Sequence, residues 1–152
     1  LAQTLNRAYT YNVHLSIFLL IMAKPVVLCV DDEKTVLISL RQELEFGLGR
    51  EFTFELAESA EEGLEIFDEI HASGMQVSVV ISDQIMPGMK GDEFLAEVAR
   101  RSPATGRILL TGESGYAHHR QIANGKLFVT LAKPWDLHEL RNTLLDCAKA
   151  TA

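Results

Sequence analysis

Carboxylates, hydroxyls and an amine stand at the ends of four short apolar runs in this sequence. Asp31-Asp32-Glu33 follows Val26–Val30, Ser82-Asp83 follows Val77–Ile81, Thr111-Gly112 follows Arg107–Leu110, and Ala132-Lys133-Pro134 follows Leu127–Leu131. Close carboxylates repel one another unless a cation compensates them, and a hard divalent ion such as Mg2+ accepts oxygen ligands at about 2.0–2.1 Å. Mg2+ is therefore the expected occupant of a cluster built from Asp31, Asp32 and Asp83. Taken singly, each residue has a plainer use: an Asp at a strand end caps a helix, a Thr closes a turn, and a Lys is a solvated charge with a packed stem. Four run ends carrying such groups together favour a shared purpose. An X-Pro bond adopts cis at low cost, and a cis Lys133-Pro134 turn would aim the amine inward.

The elements that must position these groups are legible from hydrophobic patterning. From Pro25 onward, five short apolar runs alternate with amphipathic segments, the pattern of strand and helix units around a parallel sheet. The second run is Phe52–Leu56, which alternates and reads as an edge strand. Val26–Val30 and Val77–Ile81 are nearly all apolar and β-branched, as central strands buried on both faces are. Helical spacing recurs at Val36, Leu40 and Leu44, at Ala60, Leu64 and Phe67, at Phe94 and Val98, and at Leu137, Leu140 and Leu144. Ser59 to Glu62 and Asp136 to Glu139 have capping-box spacing at two helix starts. A fourth helix is expected within Ser114–Asn124, weakly specified, with Gly115, Tyr116, His118 and His119 among few apolar anchors. The sequence reads as one (βα)5 domain, and ligands of such open sheets bind beyond the carboxyl ends of the strands, where these polar groups gather.

The runs Asp31-Asp32, Val79-Val80-Ile81-Ser82-Asp83-Gln84-Ile85-Met86-Pro87-Gly88-Met89-Lys90-Gly91, Leu110-Thr111-Gly112 and Ala132-Lys133-Pro134-Trp135 resemble the receiver domain of two-component response regulators over about residues 25–149. The resemblance implies an α/β, flavodoxin-like, doubly wound parallel sheet of five strands in the order 2-1-3-4-5. It implies that Asp83 is the phosphoacceptor, taking a phosphoryl group from a phosphohistidine on a histidine kinase or histidine phosphotransfer protein. Asp32 would bind Mg2+ directly, Asp31 mainly through water, and the Ile85 backbone carbonyl would complete the protein ligands. Lys133 would neutralise phosphoryl charge, and Thr111 would close on the phosphoryl group to switch a partner-binding surface. The same resemblance implies a downstream effector or fused output domain, and docking or homodimerisation through helix four, strand five and helix five. It describes a signalling domain, at most self-phosphorylating from small phosphodonors and self-dephosphorylating.

One position departs from the pattern. Many receivers carry Tyr or Phe three residues before the rim Lys, where this chain has Thr130, whose side chain cannot fill the same pocket. Phe128, two residues earlier on the same strand face, is the alternative switch residue. Trp135 after Lys133-Pro134, with Gly106–Gly112, is similar to receivers attached to HD-GYP-type cyclic-di-GMP phosphodiesterases or to sensor kinases. Two other classes compete. A haloacid-dehalogenase-like phosphatase also uses Mg2+ and an Asp nucleophile, but places it in an Asp-x-Asp motif after the first strand, where this chain has Asp31-Asp32-Glu33. A degenerate receiver working as a docking module is the other, while a nucleotide or flavin binder lacks its glycine-rich loop.

Elsewhere the plain readings prevail. Met86, Pro87 and Met89 shape the loop after Asp83, Glu58, Glu61, Glu62 and Glu65 form a solvated face, and Cys29 belongs to a strand core. His118 and His119 are adjacent and read as surface residues. The chain has 152 residues, 47% apolar, enough for one core. Its net charge of -7 argues against a surface that neutralises nucleic-acid phosphates. Two cysteines, Cys29 and Cys147, form no C-x-x-C pair, which fits a reducing, cytoplasmic setting without disulfides. Residues 1–21 differ in character, and their apolar run is too short to span a bilayer and lacks the basic start and cleavage site of a secretory signal. Since the sequence opens on Leu1 and Met22-Ala23-Lys24-Pro25 reads as an ordinary start, 1–21 is expected to be a vector-derived or upstream extension and 22–152 the receiver. The alternative is an apolar segment used in self-association.

Overall fold

β1 (Val26–Val30) and β3 (Val77–Asp83) are buried along their whole length, as central strands covered on both faces are. The computed structural model describes residues 2–112, 120–123 and 126–149. β2 (Thr53–Ala57) pairs with β1, and β4 (Gly106–Thr111) with β3. β6 (Lys126–Ala132) pairs with β4. These five strands are parallel. Counted among themselves, they run in the expected order 2-1-3-4-5. β2 is the edge strand its alternation implies, with Phe54 buried and Thr53 and Glu55 exposed.

A sixth strand corrects the sequence reading. β5 (Arg120–Ala123) pairs antiparallel with β6 at the far edge. The helix expected within Ser114–Asn124 is therefore strand at 120–123, and its other positions, Gly115, Tyr116, His118 and His119 included, lie outside the described residues. The sequence offers few apolar anchors at helical spacing here, and edge pairing satisfies the backbone of Arg120–Ala123 instead.

Helices cover both faces. α2 (Lys34–Leu48) and α5 (Leu137–Lys149) contribute Leu37, Leu40, Leu44, Leu140, Leu144 and Cys147 to one core layer with Val27, Cys29, Ile81 and Ile108. α3 (Ala60–Ala72) and α4 (Gly91–Arg101) contribute Phe67, Phe94, Leu95 and Val98 to the opposite layer with Leu28, Val30, Val80 and Leu109. On α2 the buried stripe runs through Leu37 rather than Val36, which is only half-buried. Both helix starts carry the N-cap half of the expected box: the Glu62 amide donates to Ser59 Oγ at 3.1 Å and the Glu139 amide to Asp136 Oδ1 at 2.8 Å, while the Glu62 carboxylate accepts from the Glu58 amide at 2.7 Å. Cys29 is fully buried, and burial pushes its thiol up to about 12, so it is core rather than chemistry.

α1 (Ala2–Met22) is helical, with Tyr11, Val13, Leu15 and Ile17 exposed. Among the described residues it packs on no other element, and none of their helices is long and apolar enough to cross a membrane.

Phe94 is fully buried between α4 and the sheet. Phe94→Ala is expected to cost about 3–5 kcal/mol, read as a lower urea midpoint at unchanged slope.

Candidate functional site

Strand order reverses between β1 and β3, since β2 lies on one side of this pair and β4 on the other. Ligands of open α/β sheets bind beyond the carboxyl ends of the strands at such a point, and it is where Asp31, Asp32 and Asp83 emerge. A carboxylate oxygen from each lies within 4.8 Å of one from each other. Asp31 and Asp83 are buried and Asp32 is exposed.

Lys133 reaches this cluster from the end of β6. Its amide donates to Thr111 O at 2.8 Å, which locks the loop to β4, and the Lys133-Pro134 bond is cis. Its Nζ lies 3.0 Å from Asp31 Oδ2 and 2.8 Å from Asp83 Oδ1. Asp31 Oδ1 also accepts from the Glu33 amide at 2.9 Å. Burial pushes the Asp83 carboxyl above its ordinary range, against the pull of Lys133 and with a further push from Asp31. Burial works to lower Lys133, but its hydrogen bonds to Asp83 and Asp31 outweigh that and hold the ammonium above its usual value. One cation thus serves two buried anions while a third faces solvent.

The chain after Asp83 brings Ile85 to the surface, 55% exposed. The Gly91 amide donates to Gln84 O at 3.0 Å, and a Cβ on Gly91 would fall 2.0 Å from Asp83 O. Only glycine permits that approach. Gly88 takes φ +78° in the same loop, a left-handed conformation that glycine adopts freely. Gln84 was not singled out from the sequence. Its Oε1 accepts from the Asp92 amide at 2.9 Å, tying the loop to the start of α4; an amide one residue after a rim Asp is its only sequence signal.

Thr111 is buried at the end of β4, in register with Ala132 and next to the carboxyl end of β3. Thr130 is buried beside Leu109. Phe128 is half-buried, and its ring lies under the Arg107 guanidinium, 5.1 Å from its centroid. All the sequence-predicted rim residues therefore meet at one end of the sheet, with Thr130 and Phe128 further down β6.

The family model of the response regulator receiver domain matches residues 27–145. The chain belongs to the response regulator receiver family. It is 33% identical over 118 residues to the sensor kinase CckA of Brucella abortus, covering 78% of this chain and 12% of that protein. It is 34% identical over 128 residues to the hydrogenase transcriptional regulatory protein HoxA of Cupriavidus necator, covering 82% of this chain and 24% of that one. The receiver chain thus spans a small part of the curated relatives it matches. Among solved structures, the signal receiver domain of an HD domain-containing protein from Pseudomonas fluorescens superposes with a TM-score of 0.67 at 30% identity, covering 85% of this chain and 98% of that one. The response regulator TrrA of Thermotoga maritima, in complex with Mg(2+)-BeF, gives 0.62 at 26% identity, covering 81% and 98%.

The raised Asp83 carboxyl fixes the sign of a stability effect. A group whose folded pKa lies above its unfolded value favours the fold below the unfolded pKa, and that favour is lost as pH rises through the folded pKa. At neutral pH the ionised Asp83 of this receiver therefore costs stability. Asp83→Asn is expected to raise the thermal midpoint at pH 7, with the gain shrinking as the pH falls to where the wild-type carboxyl binds its proton; scans across pH check it.

Proposed function

We propose that this receiver accepts a phosphoryl group on Asp83 from a phosphohistidine of a partner kinase or phosphotransfer protein, with Mg2+ bound by the rim carboxylates. The observation that carries the reading is the amine of Lys133 within hydrogen-bond distance of both Asp31 and Asp83 in an acidic cluster. In the transfer, the phosphorus–nitrogen bond to the donor imidazole breaks as a bond forms to an Asp83 carboxylate oxygen, leaving an acyl phosphate and an imidazole made neutral by a proton taken up from water. Asp32 and Asp83, with the Ile85 carbonyl, are the direct ligands in this reading, and Asp31 acts mainly through water. The donor set fits the ion: three carboxylates in reach of one another suit a hard divalent cation that keeps several waters. When bound, the cation supplies charge neutralisation at the phosphoryl oxygens.

Lys133 has a second task in this account, moving its ammonium from the carboxylates to a phosphoryl oxygen. Thr111, at the adjacent strand end, hydrogen-bonds another such oxygen. That closure, passed to Thr130 or Phe128 along β6, biases the surface formed by β6, α5 and the segment between β4 and β6, where an effector, an output domain or a second copy docks. Residues 22–152 are the receiver unit in this reading, 1–21 an extension outside it, and the setting is the cytoplasm.

Acetyl phosphate with Mg2+ is expected to add one phosphoryl group, seen by intact-mass spectrometry, and none to Asp83→Asn or without the metal. Lys133→Ala is expected to slow the addition about 10²-fold, the usual cost of removing one charge-stabilising donor. A folded wild type that stays unmodified would contradict the reading and leave a docking module.

A further inference from the structure

Lys133 carries its ammonium on a flexible stem, yet that ammonium is held between two carboxylates. The amide bond to Thr111 O anchors the loop on its β4 side. Pro134 offers no donor, so the next anchor on the α5 side falls to Trp135, the chain's single tryptophan. Its half-buried indole packs against the α2–α5 core layer, and Nε1 donates to Glu43 Oε2 of α2 at 2.9 Å. An indole nitrogen donates only, and a carboxylate acceptor makes the bond charge-assisted.

Glu43 is itself pinned. Its backbone carbonyl accepts from Arg141 Nη2 of α5 at 2.7 Å. Gly47, one turn further along α2, makes room for that guanidinium: a Cβ there would sit 2.7 Å from Arg141 Cζ. α2 begins three residues after Asp31, so a tie from α2 to the β6–α5 loop fixes the lysine relative to the carboxylate it must meet.

We propose that Trp135 and Glu43 are positioning residues for Lys133, holding its amine between Asp31 and Asp83 through the indole–carboxylate bond across α2. The inference rests on the reading of Lys133 as the phosphoryl-binding amine, and two readouts separate them. The first is the maximal rate of Asp83 phosphorylation by acetyl phosphate with Mg2+. The second, independent of phosphorylation, is labelling of Lys133 by an amine-reactive succinimidyl ester, followed by peptide mass spectrometry relative to the exposed Lys34.

Trp135→Phe keeps an aromatic ring, though a smaller one, and loses the donor, and Glu43→Ala loses the acceptor while leaving the Trp135 indole in place. Each is expected to lower the maximal rate about tenfold, the worth of one such bond, with the acetyl phosphate KM little changed, and to raise Lys133 labelling several-fold. The double variant is expected to be no worse than either single one, because both remove the same bond. Glu43→Gln, whose amide oxygen still accepts, is expected to recover most of both effects. Trp135→Phe with wild-type rate and wild-type labelling would overturn the proposal. If the wild type takes no phosphoryl group, the proposed function fails, and labelling alone decides: raised in Trp135→Phe it upholds the tie, unchanged it overturns it.

Discussion

Two buried carboxylates sharing one ammonium is the constraint around which this receiver is arranged. Burying like charges side by side is unfavourable, and the burial that raises the Asp83 carboxyl is a direct expression of it. Lys133 offsets the cost, at 3.0 Å from Asp31 and 2.8 Å from Asp83, so the fold must deliver three separate chain segments to one point. Parallel β1 and β3 bring the two aspartates side by side where the winding reverses. β6, two strands away from β3, reaches them only because its loop turns back over the rim with its amide on Thr111.

The same electrostatic frustration gives the site its use. A rim that was neutral and fully satisfied would have nothing to gain from a divalent cation. Here the exposed Asp32 beside the buried Asp31 and Asp83 leaves negative charge at the rim, and a divalent cation would offset it. Function and instability share one origin, as stability–function trade-offs at built sites commonly do.

Much of this was legible in the sequence because it is set by local rules. The nearly continuous apolar runs Val26–Val30 and Val77–Ile81 point to central strands, and the alternation around Phe54 to a strand with one face on the core. The rim residues follow those runs directly, so finding the strands finds the site. Features set by tertiary approach were not legible. Nothing local distinguishes Val36 from Leu37 as the buried position on α2, since adjacent residues both fit an apolar stripe. The contact that forbids a Cβ at Gly91 and the bond from Trp135 to Glu43 join residues far apart in sequence or across a turn. Arg120–Ala123 pairs as a strand because β6 presents an open edge, a circumstance that local propensity does not record.

Calorimetric titration with Mg2+ at neutral pH, on the wild type and on Asp32→Asn, decides whether the rim receives a cation. One ion per chain is expected in the wild type, with binding lost or strongly weakened when the exposed carboxylate is neutralised. A wild type that binds no ion, or an Asp32→Asn chain that binds it equally well, would contradict the claim that this acidic rim is built to receive a cation.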